Sequence, residues 1–117
     1  MKRARSSRMR KVNELMREVI AEQVTLLKDP RLGFVTVTEV RTSPDLRRAK
    51  VYYSVLNLED QEGTAAALQG SHHRIQRAIA DQAHLKYTPV LEFELDDALE
   101  RGLRISKLLH ELEDEDE

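Results

Sequence analysis

The feature that most constrains the fold is a pair of short alternating segments joined by a turn. Residues 48–56 alternate between apolar and polar side chains, as a half-buried β-strand does. Residues 34–41 are rich in β-branched side chains and alternate in the same way. The sequence Thr42-Ser43-Pro44-Asp45 between them is typical of a turn. Together these segments predict an antiparallel hairpin with one apolar face.

The flanking segments have helical periodicity. Residues 12–27 repeat apolar side chains at helical spacing, and Asp29-Pro30 ends the pattern because the residue before a proline disfavours α conformation. Residues 64–85 are also helix-prone, with a predicted break at residues 70–73. Residues 90–96 alternate as a third strand, and a short helix capped by Asp96 or Asp97 is predicted to follow. Helices over one face of the sheet give a two-layer α+β domain.

This order of elements, α-β-β-α-break-α-β with a short helical C-terminal tail, is that of a type II KH-like fold, a nucleic-acid-binding module. A chain of 117 residues has room for one core. We therefore expect one KH-like domain over residues 1–110, including a basic N-terminal arm. Residues 111–117 contain six acids and no base, and are expected to form a disordered tail.

Several classes of function are poorly supported by the composition. The chain has no cysteine, and its four glycines are too far apart for a dinucleotide or P-loop motif. His72 and His73 are neighbours, so they do not share a helix face from which to bind one metal ion. No apolar run is long enough to span a membrane, and no secretory signal is present. We expect a cytoplasmic protein without enzymatic activity, metal or cofactor.

Charge is distributed very unevenly along the chain. Residues 1–50 carry 13 basic and 6 acidic side chains, whereas residues 51–117 carry 6 basic and 15 acidic ones. Such asymmetry favours a polyanionic partner at the basic end, although two solvated ends would have the same composition. The candidate phosphate-binding residues form an N-terminal group, a group on the second strand and a group after the helix break: Arg5, Arg8, Arg10 and Lys11; Arg47, Arg48 and Lys50; Arg74 and Arg77.

Interpretations in which these groups bind no ligand also fit the sequence. The N-terminal group could be a solvated arm preceding the first helix and entering its first turn. The cations of the second strand, which lie beside Tyr52, could protect a sheet edge from pairing. Alternatively, basic and aromatic side chains on one sheet face could hold phosphates and stacked bases.

Separated motifs follow one another along residues 5–110. They are Arg10-Lys11-Val12-Asn13-Glu14-Leu15, Asp29-Pro30-Arg31-Leu32-Gly33-Phe34-Val35-Thr36-Val37-Thr38, Thr42-Ser43-Pro44-Asp45-Leu46, Ala49-Lys50-Val51-Tyr52, Tyr87-Thr88-Pro89-Val90-Leu91-Glu92-Phe93, Asp96-Asp97-Ala98-Leu99-Glu100-Arg101-Gly102, Arg104-Ile105-Ser106 and Leu108-Leu109. In these motifs the chain resembles the bacterial ribosome-binding factor A family. The resemblance implies a type II KH domain in which an Ala-x-Gly kink replaces the GxxG loop.

Counting back from Pro89, the kink positions hold Ser71-His72-His73 in this chain. Histidine lacks the backbone freedom of glycine, so we expect either a break at Gly70-Ser71 or Ser71 acting as a helix cap.

The resemblance further implies a monomeric, non-enzymatic assembly factor of the small ribosomal subunit. It would bind free 30S subunits and 16S rRNA, assist late maturation and 5′ processing of the pre-rRNA, and support growth in the cold. The alternative from another class is a protein-interaction module whose basic arm binds an acidic protein. Treatment with RNase would separate the two, because it releases the chain only when RNA is the ligand.

Overall fold

The structure is a computed structural model that describes the backbone of residues 2–96 and the side chains of residues 7–96. Its elements, in chain order, are α1 (Lys2–Leu26), β1 (Val35–Thr42), β2 (Arg48–Val55), a 3-10 turn (Leu58–Asp60), α2 (Gln61–Gly70), α3 (His72–Gln82) and β3 (Val90–Leu95). The mixed α+β class and the order of these elements are confirmed. The type II KH assignment stays a prediction, and the predicted C-terminal helix and acidic tail lie outside the described residues.

The first helix is longer than its apolar stripe predicts. It begins at Lys2 rather than at residue 12, so Arg8, Arg10 and Lys11 lie within the helix and not in an arm before it. Arginine, lysine and methionine are good helix formers, and no glycine or proline interrupts residues 2–11. The predicted end near Asp29-Pro30 is confirmed, because α1 ends at Leu26.

The three strands form one sheet in the order β1-β2-β3. β1 and β2 pair in antiparallel fashion, with Val35 opposite Val55 and Thr42 opposite Ala49, which confirms the predicted hairpin. β3 runs parallel to β2, from Val90 beside Arg48 to Leu95 beside Tyr53. A parallel neighbour requires a crossover connection, and α2 and α3 lie in that connection.

A bulge interrupts the predicted alternation of β1. The register shifts between Val37 and Glu39, so Thr38 is the extra residue. As a result Val37 and Val40 are both buried, although their spacing of three would place them on opposite faces of a regular strand. Glu39, which strict alternation would turn inward, is exposed.

The core lies between the sheet and the helices. Apolar side chains from α1, from the inner face of the sheet and from α2 and α3 form one cluster: Met16, Val19, Ile20, Val24, Val37, Val40, Ala49, Val51, Tyr53, Leu68, Ile75, Ile79, Ala83 and Leu91. The half-buried Asn13 side chain of α1 accepts a hydrogen bond from the backbone N–H of Thr42 at 2.8 Å, which fixes α1 to the end of β1.

The connection from α1 to β1 is held by polar contacts. Nε and Nη2 of Arg31 donate to the Asp29 carboxylate at 3.0 and 2.7 Å. These bonds, with a backbone hydrogen bond from Arg31, lower the pKa of Asp29 to about 2. The backbone N–H of Gly33 donates to Oγ1 of the fully buried Thr64 at 3.0 Å. This bond attaches the connection to α2.

The break between α2 and α3 falls on one residue. Ser71 has φ −103° and ψ 3°, and its backbone N–H donates to the carbonyl oxygens of Ala67 and Leu68. Ser71 therefore occupies the N-cap position of α3, as predicted, but its side chain makes no capping hydrogen bond. The break needs no left-handed residue, since among residues 2–96 only Leu46 and His84 have positive φ. His73 consequently fits as an ordinary residue of α3.

Candidate nucleic-acid interface

The outer face of the sheet, opposite the helices, is predominantly polar. The side chains of Arg48, Lys50 and Tyr52 on β2 point to this face, and Glu92 and Glu94 lie beside them on β3. Lys50 Nζ lies 3.4 Å from Oε2 of Glu94, so its charge is partly compensated. Of the two acids on this face of β3, Glu94 thus forms an ion pair across the sheet. No group of three or more potential metal ligands occurs in the described part of the chain.

A basic and aromatic cluster lies at the hairpin end of the sheet. We call Arg47, Arg48, Lys86 and Tyr87 the hairpin-end cluster. The backbone N–H of Val90 donates to the carbonyl oxygen of Arg47 at 2.9 Å, which brings the segment before β3 against the hairpin. The Arg47 guanidinium carbon lies 4.4 Å from the centre of the Tyr87 ring, and Lys86 Nζ lies 5.5 Å from it. Both distances are in the range of cation–π contacts.

The cations of this cluster are available to an external anion. Arg47, Arg48 and Lys86 are exposed, and no carboxylate of residues 7–96 forms an ion pair with them. By contrast, Arg41 is held by Glu39, with Nε 2.9 Å from Oε1. An unpaired cation can neutralise a phosphate without first breaking a protein ion pair, so the hairpin-end cluster is the better anion site.

A surface cavity of ≈ 520 Å³ belongs to this cluster. It is lined by Arg47, Arg48, Tyr87, Thr88, Val90 and Glu92. Tyr87 is 39% exposed and Val90 is 55% exposed, so an aromatic face, an aliphatic side chain and two guanidinium groups are all accessible there. A flat aromatic ring with phosphate attached, such as a nucleotide of single-stranded RNA, has the complementary chemistry.

The N-terminal group lies on α1. Arg8, Arg10 and Lys11 are exposed, and Arg10 lines a groove of ≈ 400 Å³ between α1 and β1. Glu14 and Glu39 line the same groove, and Glu14 is paired with Arg17, whose hydrogen bond lowers the pKa of the Glu14 carboxyl. Arg5 is in α1, but its side chain is outside the described part.

The group after the break lies on the other layer of the protein. Arg74 and Arg77 are exposed on α3, whereas Ile75 and Ile79 face the core. Arg77 follows Ile75 by two residues, or about 200° around a helix, so it points away from the sheet. The structure therefore places Arg47, Arg48 and Lys50 together at the sheet, and it places Arg74 and Arg77 on the helical side.

Two residues of the hairpin-end cluster were not among the sequence candidates. Lys86 and Tyr87 precede β3 and are 39 or more positions from Arg47 in the chain. Their neighbour Pro89 is fully buried and anchors the segment. The only local signal in the sequence was a lysine next to a tyrosine. It indicates a site only once β3 is known to pair with β2, because that pairing brings Tyr87 beside Arg47.

The fold and the site define a small α+β protein with a charged sheet face and, around an aromatic ring, cations that no carboxylate of residues 7–96 pairs with. This combination is typical of nucleic-acid-binding modules. The sequence profile of ribosome-binding factor A matches residues 8–109. The chain belongs to the ribosome-binding factor A family. It is 45% identical over 111 residues to the Rubrobacter xylanophilus member, covering 94% of this chain and 91% of that protein. Identity to the Thermomicrobium roseum member is 43% over 112 residues, covering 94% and 87%.

Solved structures agree with this assignment. The crystal structure of ribosome-binding factor A from Thermus thermophilus superimposes with a TM-score of 0.69 at 30% identity, over 74% of this chain and 94% of that chain. A homology model of the Thermus thermophilus factor, fitted into the cryo-EM map of a complex with the 30S subunit, superimposes with a TM-score of 0.61 at 32% identity. That match covers 71% of this chain and 89% of the other.

Proposed function

We propose that this chain is an assembly factor of the small ribosomal subunit that acts by binding and not by catalysis. The observation that carries the proposal is its membership of a family with a member fitted into the map of a 30S complex. In this proposal a monomer of the chain binds free 30S subunits through 16S rRNA in the cytoplasm, assists late maturation and 5′ processing of the pre-rRNA, and supports growth in the cold. None of the described helices is long and apolar enough to cross a membrane.

The proposed RNA contact is centred on the hairpin-end cluster. Its unpaired cations would replace counterions on phosphates, and the Tyr87 ring would be a platform for a base. The remaining predicted contacts flank it on α1, on the sheet face and on α3: Arg5, Arg8, Arg10, Lys11, Lys50, Arg74 and Arg77. Because Arg77 points away from the sheet, the RNA would have to wrap around the domain to use every group.

The proposed mechanism needs no covalent step. A factor that binds one conformation of immature rRNA more tightly than the others increases the population of that conformation. The change in the free-energy difference between two rRNA conformations cannot exceed the difference in the free energy with which the factor binds them. The position of the cations therefore matters more than their number. The parallel pairing of β2 and β3 fixes Arg48 beside Val90 and so keeps the cluster in one arrangement.

Sedimentation tests the proposal. Tagged protein is run with purified 30S subunits on a gradient, with and without prior RNase treatment. We expect the chain to travel with the 30S peak and to be released by RNase. If the chain stays bound to a subunit protein after RNase treatment, the protein-interaction alternative is favoured instead. A chain that stays at the top of the gradient at low salt would refute the proposal.

The base platform has its own test. Tyr87→Leu removes the ring while keeping an apolar side chain, and we expect it to weaken binding to a single-stranded RNA oligonucleotide by about tenfold, because stacking contributes roughly 1–3 kcal/mol per base. Tyr87→Phe keeps the ring and should bind within about twofold of the wild type. Equal losses in both variants would show that the hydroxyl, and not the ring, makes the contact.

Processing is tested in cells. Cells that lack the chain should accumulate 16S precursors with unprocessed 5′ ends, and the wild-type chain should restore processing. A chain with Arg47→Gln and Arg48→Gln should restore less of it, while Arg41→Gln is the matched control because its guanidinium is already held by Glu39. Normal 5′ ends without the chain would refute the processing role.

A further inference from the structure

We propose that the end of the sheet opposite the hairpin turn docks a basic, apolar segment of a protein of the small subunit. Phe34, Leu56 and Leu58, which we call the apolar end, are 77%, 76% and 69% exposed. This inference rests on the proposed function for the identity of the particle. It goes beyond that function in assigning a protein partner to a surface that the RNA contact does not use.

Two of the three side chains, those of Phe34 and Leu56, are brought together by the strand pairing. The backbone N–H of Leu56 donates to the carbonyl oxygen of Phe34 at 3.0 Å, which continues the β1–β2 ladder by one pair beyond Val35 and Val55. Residues opposite each other in an antiparallel pair have their side chains on the same face. Phe34 and Leu56 therefore form one cross-strand apolar pair on the outer face.

Leu58 extends this pair along the chain. It begins the 3-10 turn, and that turn lies against the base of the hairpin, since a Cβ on Gly33 would be only 2.7 Å from Cβ of Asp60. Single exposed apolar side chains are normal on a protein surface, but an adjoining set of large ones marks an interaction site.

The charge around the apolar end selects the kind of partner. Glu59 and Glu62 are exposed next to Leu58, and among residues 7–96 neither has a cation within ion-pair distance. Uncompensated carboxylates repel RNA phosphates and attract lysine and arginine. Proteins that sit on rRNA carry basic segments to neutralise phosphates, so a basic segment with apolar side chains has both complementary features.

The apolar end is electrostatically separate from the hairpin-end cluster. The two lie at opposite ends of strands of eight residues, about 26 Å apart at 3.3 Å per residue. That distance exceeds the Debye length of about 8–10 Å at moderate salt, so the two surfaces bind their partners without neutralising each other. The protein would thus hold RNA at one end of the sheet and protein at the other.

Site-specific photocrosslinking tests the inference on the full chain. p-Benzoylphenylalanine replaces Leu58, and in the matched control it replaces Gln69, an exposed residue of α2. Each protein is irradiated with purified 30S subunits, treated with RNase and examined by mass spectrometry. We expect the position 58 probe, but not the position 69 probe, to link to a basic segment of a subunit protein. A link to rRNA, to a second copy, to residues 97–117 of the same chain, or to nothing would overturn the inference.

Affinity measurements add a second criterion. Phe34→Ser and Leu58→Ser together should weaken 30S binding by about tenfold without changing its salt dependence, since they remove apolar contact and no charge. Glu59→Lys with Glu62→Lys should weaken it by a similar factor. Unchanged affinity in both variants would overturn the inference while leaving the proposed function intact. Failure of the wild-type chain to sediment with 30S subunits would refute the proposed function, and the inference with it.

Discussion

The salt dependence of RNA binding gives a quantitative test of the hairpin-end cluster. Arg47→Gln and Arg48→Gln remove two exposed guanidinium charges that have no ion-pair partner among residues 7–96. Each neutralised phosphate contributes about 0.7–0.9 to the slope of log K against log salt concentration. If both arginines contact phosphates, the double variant should have a slope shallower by roughly 1.4–1.8. Between 50 and 200 mM salt, a fourfold change, the wild type would then lose about tenfold more affinity than the variant.

The assay is a titration of a fluorescent 16S precursor fragment, followed by anisotropy at several salt concentrations. Arg41→Gln is the matched control, because its guanidinium already lies 2.9 Å from Glu39 and 5.3 Å from the centre of the Tyr52 ring. Its effect on the slope should be less than about half that of a single arginine of the cluster. An unchanged slope in the double variant, or an equal change in the control, would show that the RNA contacts other cations.

The remaining predictions concern stability. Thr64→Val leaves the half-buried amide of Gly33 without its acceptor and should lower the free energy of unfolding by about 1 kcal/mol in urea melts. Thr42→Val, whose wild-type hydroxyl has no hydrogen-bond partner in the described part, should be neutral or stabilising, and a matching loss would contradict the argument. His84 has φ 50° just after α3, a conformation that favours glycine, so His84→Gly should raise Tm and increase the free energy of unfolding by about 0.5–1 kcal/mol. His73→Gly lies inside α3 and should lower Tm. Because the pKa of Asp29 is about 2 when folded and 3.8 ordinarily, its stabilising effect should disappear as pH falls from about 4 to 2, and Asp29→Asn should flatten that part of the profile.

Local patterns were sufficient for the strands and their hairpin. Side-chain alternation in residues 48–56 and the turn sequence each have one ready structural interpretation, and both predictions are confirmed. The bulge at Thr38 could not be predicted in this way, because it depends on which residues of β1 must reach the core beneath α1. The start of α1 was also missed, since its first turns have no apolar stripe even though their residues favour a helix.

Only part of the candidate site could be predicted from the sequence. Charge clustering identified Arg47 and Arg48, but it gave equal weight to the separate group of Arg74 and Arg77, which the structure places on the other layer. Tyr87 became a candidate only through the pairing of β3 with β2, a contact between distant parts of the chain. Periodicity reports which side of its own element a residue occupies, whereas a site made from two elements depends on how they pack.

The parallel pairing of β2 and β3 also determines when the site comes into existence during synthesis. The hairpin of β1 and β2 is local and can form as soon as residues 35–55 have left the ribosome. Tyr87, however, is placed beside Arg47 by a strand that emerges after α2 and α3. A nascent chain halted before residue 90 therefore carries the arginines without their aromatic neighbour, so β3 must emerge before a molecule can hold its ligand at both of these groups.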